Sequence, residues 1–255
     1  MGDTSRSAAV LVAAVAQIVG SPLGSALAGR SVGDVSDGAR SLVTPAGWAF
    51  SIWGLVFAAS LAWAVYQALP GQRDREVHRR AGWPLAAAFA GNAVWEVVYP
   101  LGRGGQYAAQ VLIFGITAAA AVAYSRVQAL PADGPARLLP RATTGLLLGW
   151  VTVAPVANVG STGVALGVSP ATTAAQVWAV VALVLVAGIA AAVVLGSSVA
   201  AGPFAAAVVW GVLAIAAAGG PRPVGVAAVC AAVVVAVALT TRAVTRTDRG
   251  ALLVG

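Results

Sequence analysis

The chain has 255 residues, of which 60% are hydrophobic and only 9% are charged. A soluble domain carries roughly 25% charged residues, so this composition excludes an ordinary soluble protein and predicts an integral membrane protein. The net charge of +7 does not indicate nucleic-acid binding, because the arginines cluster beside apolar segments and form no basic stripe with interleaved aromatic residues. The lone Cys230 gives no disulfide framework, and no metal-ligand spacing is present.

Eight apolar segments follow one another along the chain, and most are long enough to cross a bilayer. They are predicted at 8–27, 45–69, 84–101, 107–127, 142–159, 174–195, 204–218 and 224–241. The first could pass for a signal peptide, but it lacks a convincing cleavage site and further spans follow. The sequence therefore predicts an all-α polytopic bundle of about eight transmembrane helices, or seven if the short segment 204–218 is re-entrant.

The connections between these segments are polar. The most charged is 70–82, in which His78 is predicted to be solvated, and 128–141 contains Pro131 and Asp133 as turn residues. Eleven arginines fall on the side of the two termini and four on the opposite side. The positive-inside rule then predicts a multi-pass protein of the inner (plasma) membrane with both termini in the cytoplasm.

Glu96 is the one carboxyl group that the sequence places within a predicted span, because every other acidic residue falls in a tail or a polar connection. Such a residue is costly to insert and marks a functional site by default. Asn92 and Tyr99 share its helical face, so either is predicted to hydrogen-bond to the carboxyl. A neutral carboxylic acid in an apolar cavity can serve as a general acid. A structural ion pair between Glu96 and Arg103 is the alternative.

Three segments resemble the tryptophan-rich sensory and translocator proteins (TspO/MBR). Residues 44–54 read Thr-Pro-Ala-Gly-Trp-Ala-Phe-Ser-Ile-Trp-Gly, Asn92 and Trp95 match an Asn-x-x-Trp of the third helix, and Trp150 with Asn158 match the fifth. The resemblance implies a helical bundle whose tryptophans and asparagines line a ligand cavity. It implies a five-helix core at 1–160, followed at 161–255 by three more helices and a short tail. Gly91, Gly145 and Gly149 are predicted to be close-packing positions.

A second resemblance concerns the chemistry. Asn92-x-x-Trp95-Glu96-x-x-Tyr99 is similar to a segment of the membrane-bound terpene cyclases of meroterpenoid and indole-terpenoid pathways. In that family the glutamate is implicated in protonating an alkene or epoxide. The cyclases have a second acid near their C-terminal helices, and this chain has none between Asp133 and Asp248. No Asp-rich diphosphate motif is present, so any cyclisation is predicted to start by protonation.

Two functions follow as hypotheses. The leading one is a terpene cyclase without cofactor or metal, in which Glu96 protonates an isoprenoid-bearing small molecule and Asn92 and Tyr99 orient the acid. Aromatic faces would stabilise the cation and bind substrate. The predicted binding residues are Trp48, Trp53, Trp63, Trp95, Trp150, Asn158 and Trp178.

The alternative is a non-enzymatic receptor for a tetrapyrrole or lipid. A proton-coupled transporter is less favoured, because no second intramembrane ionisable residue offers a relay. The expected partners are the isoprenoid-bearing substrate and membrane lipid. Nucleic acid is not an expected partner, and the sequence leaves open whether the protein is a homodimer.

Overall fold

The computed structural model describes residues 2–130, 134–246 and 248–253, and over these residues it contains helices and no strand. The helices are α1 (Asp3–Ala28), α2 (Val32–Gly38), α3 (Ile52–Ala68), α4 (Glu76–Val98), α5 (Arg103–Val127), α6 (Gly134–Ala165), α7 (Thr173–Gly196), α8 (Ala201–Ala217), α9 (Arg222–Thr245) and α10 (Arg249–Leu253). Two 3₁₀ turns, Gly47–Ser51 and Tyr99–Leu101, lead into α3 and out of α4. Pro131 and Asp133, placed in a predicted turn, lie outside the described residues.

Each predicted apolar segment corresponds to one helix. Several helices begin a few residues earlier than predicted, and α4 and α6 begin eight residues earlier. Helix α4 begins at Glu76 and α6 at Gly134, and Pro84 and Pro140 lie inside them. The difference arises because hydropathy marks the part of a helix suited to lipid and not the point where backbone hydrogen bonding begins. The connection predicted at 29–44 contains the short helix α2, which was not predicted from the sequence.

Six of the described helical segments are long and apolar enough to cross a membrane. They are α1, Gly47–Ala68, α5, α6, α7 and α9. Helix α8 has only 17 residues, and the first turns of α4 are charged. The chain is therefore a multi-pass helical membrane protein, whereas the count of eight spans stays a prediction.

Helix α1 packs against α4 and α3, α4 against α5, α5 against α6, and α6 against both α3 and α8, while α7, α8 and α9 pack together. The start of α1 and the end of α9 lie at the same end of the bundle, here called the terminal end; the other is the loop end. Side-chain hydrogen bonds join neighbouring helices there: Arg79 to Asp3, Arg126 to the carbonyl of Arg80, the amide of Ser198 to Gln128, and Arg242 to the carbonyl of Ser197.

Glycines allow three pairs of helices to approach closely: α1 with α4, α6 with α8, and α4 with α5. A Cβ atom on Gly24 of α1 would overlap the carbonyl oxygen of Glu96 in α4, and one on Gly149 of α6 would overlap that of Phe204 in α8. A Cβ on Gly145 would lie 2.9 Å from the carbonyl oxygen of Ala200, and one on Gly91 would lie 2.9 Å from Ile116. The three predicted close-packing positions are therefore confirmed, and small residues let these backbones meet.

Candidate functional site

Helix α1 positions the Glu96 side chain. Gly20 and Gly24, one turn apart on α1, let its backbone lie directly against α4, and a Cβ on Gly20 would be 3.1 Å from the Cβ of Glu96. Ser21, between these glycines, lies near the Glu96 carboxyl, and both residues line the same cleft. Glu96 is only 3% exposed, so the α1–α4 contact holds this carboxyl inside the protein.

A second polar pair lies one turn from the first. The amide of Asn92 donates to the side-chain oxygen of Gln17 over 3.4 Å, and both side chains are fully buried. Gln17 and Ser21 are four residues apart on α1, as Asn92 and Glu96 are on α4, so the two helices meet through two matched polar pairs. Asn92 therefore bonds across the interface, and the predicted bond along α4 to Glu96 is not the one formed.

Tyr99 also turns away from Glu96. Its ring stacks on Trp95, with ring centroids 4.7 Å apart and planes 17° apart, and its hydroxyl lies within hydrogen-bonding reach of Ser161 in α6. The reason is local, because Tyr99 begins a 3₁₀ turn, whose 3.0 residues per turn do not continue the α-helical face. The predicted hydrogen bond from Tyr99 to the carboxyl is therefore replaced by a contact with α6.

Glu96 opens onto a cleft of about 340 Å³, here called the Glu96 cleft. Its lining includes Ser21, Asp37 of α2, and the aromatic side chains of Phe50, Trp53 and Phe57. A volume of this size lies within the range of small-molecule sites. Sequence analysis missed Asp37, because it lies in a polar connection and only the folding of α2 brings it to the cleft.

A second, smaller cavity adjoins the cleft and is here called the tryptophan cavity. It measures about 40 Å³, and its lining includes Trp53, Trp95, Tyr99, Trp150 and Asn158. Val32, Phe50 and Trp53 line both spaces. A cavity of this size holds a few water molecules at most, so a larger ligand must also occupy the cleft or displace side chains.

Three polar atoms of the tryptophan cavity's lining residues are buried and have no hydrogen-bond partner among the described residues. They are the indole nitrogens of Trp95 and Trp150 and the side-chain oxygen of Asn158. A buried polar group without a partner is costly and calls for an explanation. Two donors and one acceptor in an aromatic cavity are suited to a ligand that is mostly apolar with a polar group.

The predicted binding residues separate into two sets. Trp53, Trp95, Trp150 and Asn158 come together at the tryptophan cavity. Trp48 is half exposed and packs edge-on against Trp210, at 4.8 Å between ring centroids. Trp178 is 38% exposed and lines a groove between α6 and α7. Trp48 and Trp178 line neither the Glu96 cleft nor the tryptophan cavity.

Trp63 lies at the terminal end, fully buried, where its indole nitrogen donates to Nδ1 of His78 over 3.1 Å. His78 was predicted to be solvated, and this was wrong, since the early start of α4 carries it into the bundle with no exposed surface. Burial, with Arg6 and Arg75 nearby, lowers the pKa of His78 to about 4. Trp63 lines neither the Glu96 cleft nor the tryptophan cavity.

The alternative ion pair between Glu96 and Arg103 does not form. The chain leaves α4 through a 3₁₀ turn, and Gly102 adopts φ 103°, a left-handed conformation that favours glycine. Arg103 then begins α5 and lines a small pocket with Thr162. Among the described residues, no group of three His, Cys, Asp or Glu side chains could hold a metal ion.

Fold and site together define a multi-pass helical membrane protein with an aromatic cavity enclosed by its N-terminal helices. A model of the family described as TSPO-like protein matches residues 7–241, nearly the whole chain. The protein therefore belongs to the TSPO-like family, which confirms the translocator part of the resemblance. No curated protein and no solved structure matches the chain.

Proposed function

We propose that the protein is a TspO-type membrane receptor that binds an apolar small molecule in the tryptophan cavity and the adjoining Glu96 cleft. The observation that carries this proposal is the set of unpaired buried groups of Trp95, Trp150 and Asn158 inside an aromatic lining. A ligand with a carbonyl or ring nitrogen would accept from the indole N–H groups, and its apolar part would contact the rings. A tetrapyrrole and a lipid both meet this description.

The test is direct binding to the purified protein in lipid nanodiscs. Titration with protoporphyrin, followed by its absorbance, should give saturable binding that Trp150→Phe weakens about tenfold, the value of one lost hydrogen bond. Trp63→Phe is the matched control, because it also removes an indole but lies outside the cavity. Equal affinity of the Trp150→Phe and Trp63→Phe proteins would contradict binding in this cavity. A long-chain ketone in place of the porphyrin tests the lipid class in the same way.

A second candidate function is protonation-initiated terpene cyclisation, and the placement of Glu96 favours it. The carboxyl is enclosed, has a serine hydroxyl beside it, and faces the rings of Phe50, Trp53 and Phe57. In this reaction Glu96 gives its proton to one alkene carbon of an isoprenoid-bearing substrate, and the other becomes a cation. A carbon–carbon bond then closes the ring, and loss of a proton yields an isomer of the substrate. Aromatic faces stabilise the cation.

The cyclase candidate is tested by mass-resolved turnover in membranes that contain the protein. Farnesylated and geranylgeranylated indoles, phenols and diketopiperazines are supplied, and a product of unchanged mass with a new retention time is sought. In D₂O that product should carry one deuterium. Glu96→Gln should abolish it, whereas Glu76→Gln, which alters an exposed carboxyl paired with Arg80 on the same helix, should not. A product that Glu96→Gln still forms would rule out Glu96 as the acid.

The orientation in the membrane is also a proposal. We infer that the terminal end faces the cytoplasm of a plasma membrane, because most of the arginines flank the predicted spans at that end. A reporter that is active only in the cytoplasm, fused to either terminus, should be active in both positions. Activity at one terminus alone would contradict an even number of spans.

A further inference from the structure

We propose that the Glu96 cleft selects apolar molecules that carry a positive charge. The ligand class is an amphiphilic cation, such as a tertiary or quaternary ammonium group on an alkyl or isoprenoid chain. This inference rests on the proposed function, because the apolar part of the ligand must occupy the tryptophan cavity and the adjoining Glu96 cleft, as the ligand of the proposed receptor does. It adds a requirement on charge that the tryptophan cavity does not impose.

The first argument is the charge of the lining. Glu96 and Asp37 both line the cleft, and no arginine is among the described lining residues. Asp37 already has a counter-ion, since its carboxyl lies 2.8 Å from the guanidinium of Arg40. The polar side chain that faces Glu96 is the neutral Ser21. An enclosed carboxyl group pays a large desolvation cost to ionise without a cation beside it, and a positively charged ligand would offset that cost.

The second argument is the aromatic surface. Trp53 and Phe57 are stacked, with ring centroids 5.3 Å apart, and both line the cleft beside Glu96 together with Phe50. Ring faces attract a cation within about 6 Å of their centroids, and ammonium groups are recognised by such aromatic surroundings. A carboxyl group and three aromatic rings around one space therefore favour a cation over a neutral group.

The third argument is continuity with the tryptophan cavity. Because the side chains of Val32, Phe50 and Trp53 line both spaces, a ligand whose charged end lies beside Glu96 can place its apolar part against Trp95 and Trp150 once these shared side chains shift. A small hydrophilic cation would gain nothing from that part of the site. The same arrangement would stabilise the cation that forms when a prenyl chain is protonated, so the charge preference fits both candidate functions.

The test compares two probes of the same shape. One is trimethylfarnesylammonium, and the other is the hydrocarbon in which carbon replaces nitrogen. Binding is measured by equilibrium dialysis against the protein in phosphatidylcholine nanodiscs, with empty nanodiscs subtracted. The protein should bind the ammonium probe at least about tenfold more tightly, which corresponds to one cation–π or ion-pair interaction. Glu96→Gln should remove this preference and leave hydrocarbon binding within about twofold.

Two further variants keep the test decisive. Glu76→Gln removes an exposed carboxyl of α4 that is paired with Arg80 at the terminal end, and it should preserve the preference. Phe57→Leu removes one ring and leaves the carboxyl in place, and it should reduce the preference for the ammonium probe about threefold. This variant provides the test if the Glu96→Gln protein does not fold. Equal binding of the two probes, or a preference that survives Glu96→Gln, would overturn the inference while the proposed function stands. Failure of both probes and of protoporphyrin to bind would overturn the proposed function as well.

Discussion

The indole groups at the two ends of the α1–α3–α4 group are buried in different ways. At the terminal end the indole of Trp63 is paired with Nδ1 of His78, although Nε2 of His78 has no partner among the described residues. At the loop end two spaces remain, and the indole nitrogens of Trp95 and Trp150 have no partner among the described residues. The same residue type therefore has a hydrogen-bond partner at one end and none at the other, where we propose that it binds a ligand. A tryptophan count alone does not locate a site.

The largest expected effect comes from removing the close contact that encloses Glu96. Gly24→Val should lower the free energy of unfolding by about 3 kcal/mol or more, because its side chain would overlap the backbone of α4. Thermal unfolding in nanodiscs measures the change. Gly115→Val is the control, since a Cβ at Gly115 of α5 meets no atom within 4 Å. A loss in Gly24→Val that is no larger than the loss in Gly115→Val would contradict the close contact of α1 with α4 at the loop end.

The next effect is a pH dependence of the terminal end. The pKa of His78 is about 4 in the folded protein and about 6.5 in the unfolded chain, so the unfolded chain binds a proton more readily between these values. Stability should be complete above about pH 6.5 and fall by about 3 kcal/mol as the pH drops towards 4. Unfolding across this range measures it, with His78→Gln as the comparison. An unchanged pH profile in that variant would contradict the assignment.

A smaller loss is expected from Trp63→Phe. The substitution leaves Nδ1 of the buried His78 without its donor, which should lower the free energy of unfolding by about 1–2 kcal/mol. Ligand binding at the loop end should not change. Thermal unfolding and protoporphyrin titration of the same preparation measure both quantities. If Trp63→Phe lowered the affinity for protoporphyrin without lowering the free energy of unfolding, the ligand site would lie at the terminal end and not at the loop end.

The smallest effect on stability is expected from Trp150→Phe. Its indole nitrogen has no partner to lose among the described residues, so the free energy of unfolding should change by less than about 1 kcal/mol. The same variant should bind protoporphyrin about tenfold more weakly. The contrast between Trp63→Phe and Trp150→Phe tests whether the paired tryptophan supports stability and the unpaired one supports ligand binding. Equal losses of stability would show that both indoles have structural partners.

Much of the fold could be predicted from the sequence because apolar segments long enough for a bilayer have few alternatives to helix. The starts of α4 and α6 could not, because their first turns are too polar to be distinguished from loops. Helix α2 did have a local signal that was missed. Ser31 and Asp34 form a capping box, in which the Asp34 amide donates to the Ser31 hydroxyl over 3.1 Å.

The site was predicted in part. Helical spacing and resemblance brought together Trp53, Trp95, Trp150 and Asn158, which all line one cavity. The partners of Asn92 and Glu96 could not be predicted, since Gln17 and Ser21 lie on a helix far away in sequence and only the close contact at Gly20 and Gly24 brings them near. The position of a residue along one helix predicts which face of that helix it lies on. Its hydrogen-bond partner depends on which other helix packs against that face.

The matched polar pairs between α1 and α4 also bear on how the chain is made. Helix α4 is not among the segments apolar enough to cross a membrane unaided, and it carries Asn92 and Glu96. Helix α1 is synthesised before α4, and it offers Gln17, Ser21 and a glycine surface against which α4 fits. We therefore expect α4 to leave the translocation machinery together with α1 rather than alone. The Glu96 carboxyl would then enter the bilayer already in contact with α1.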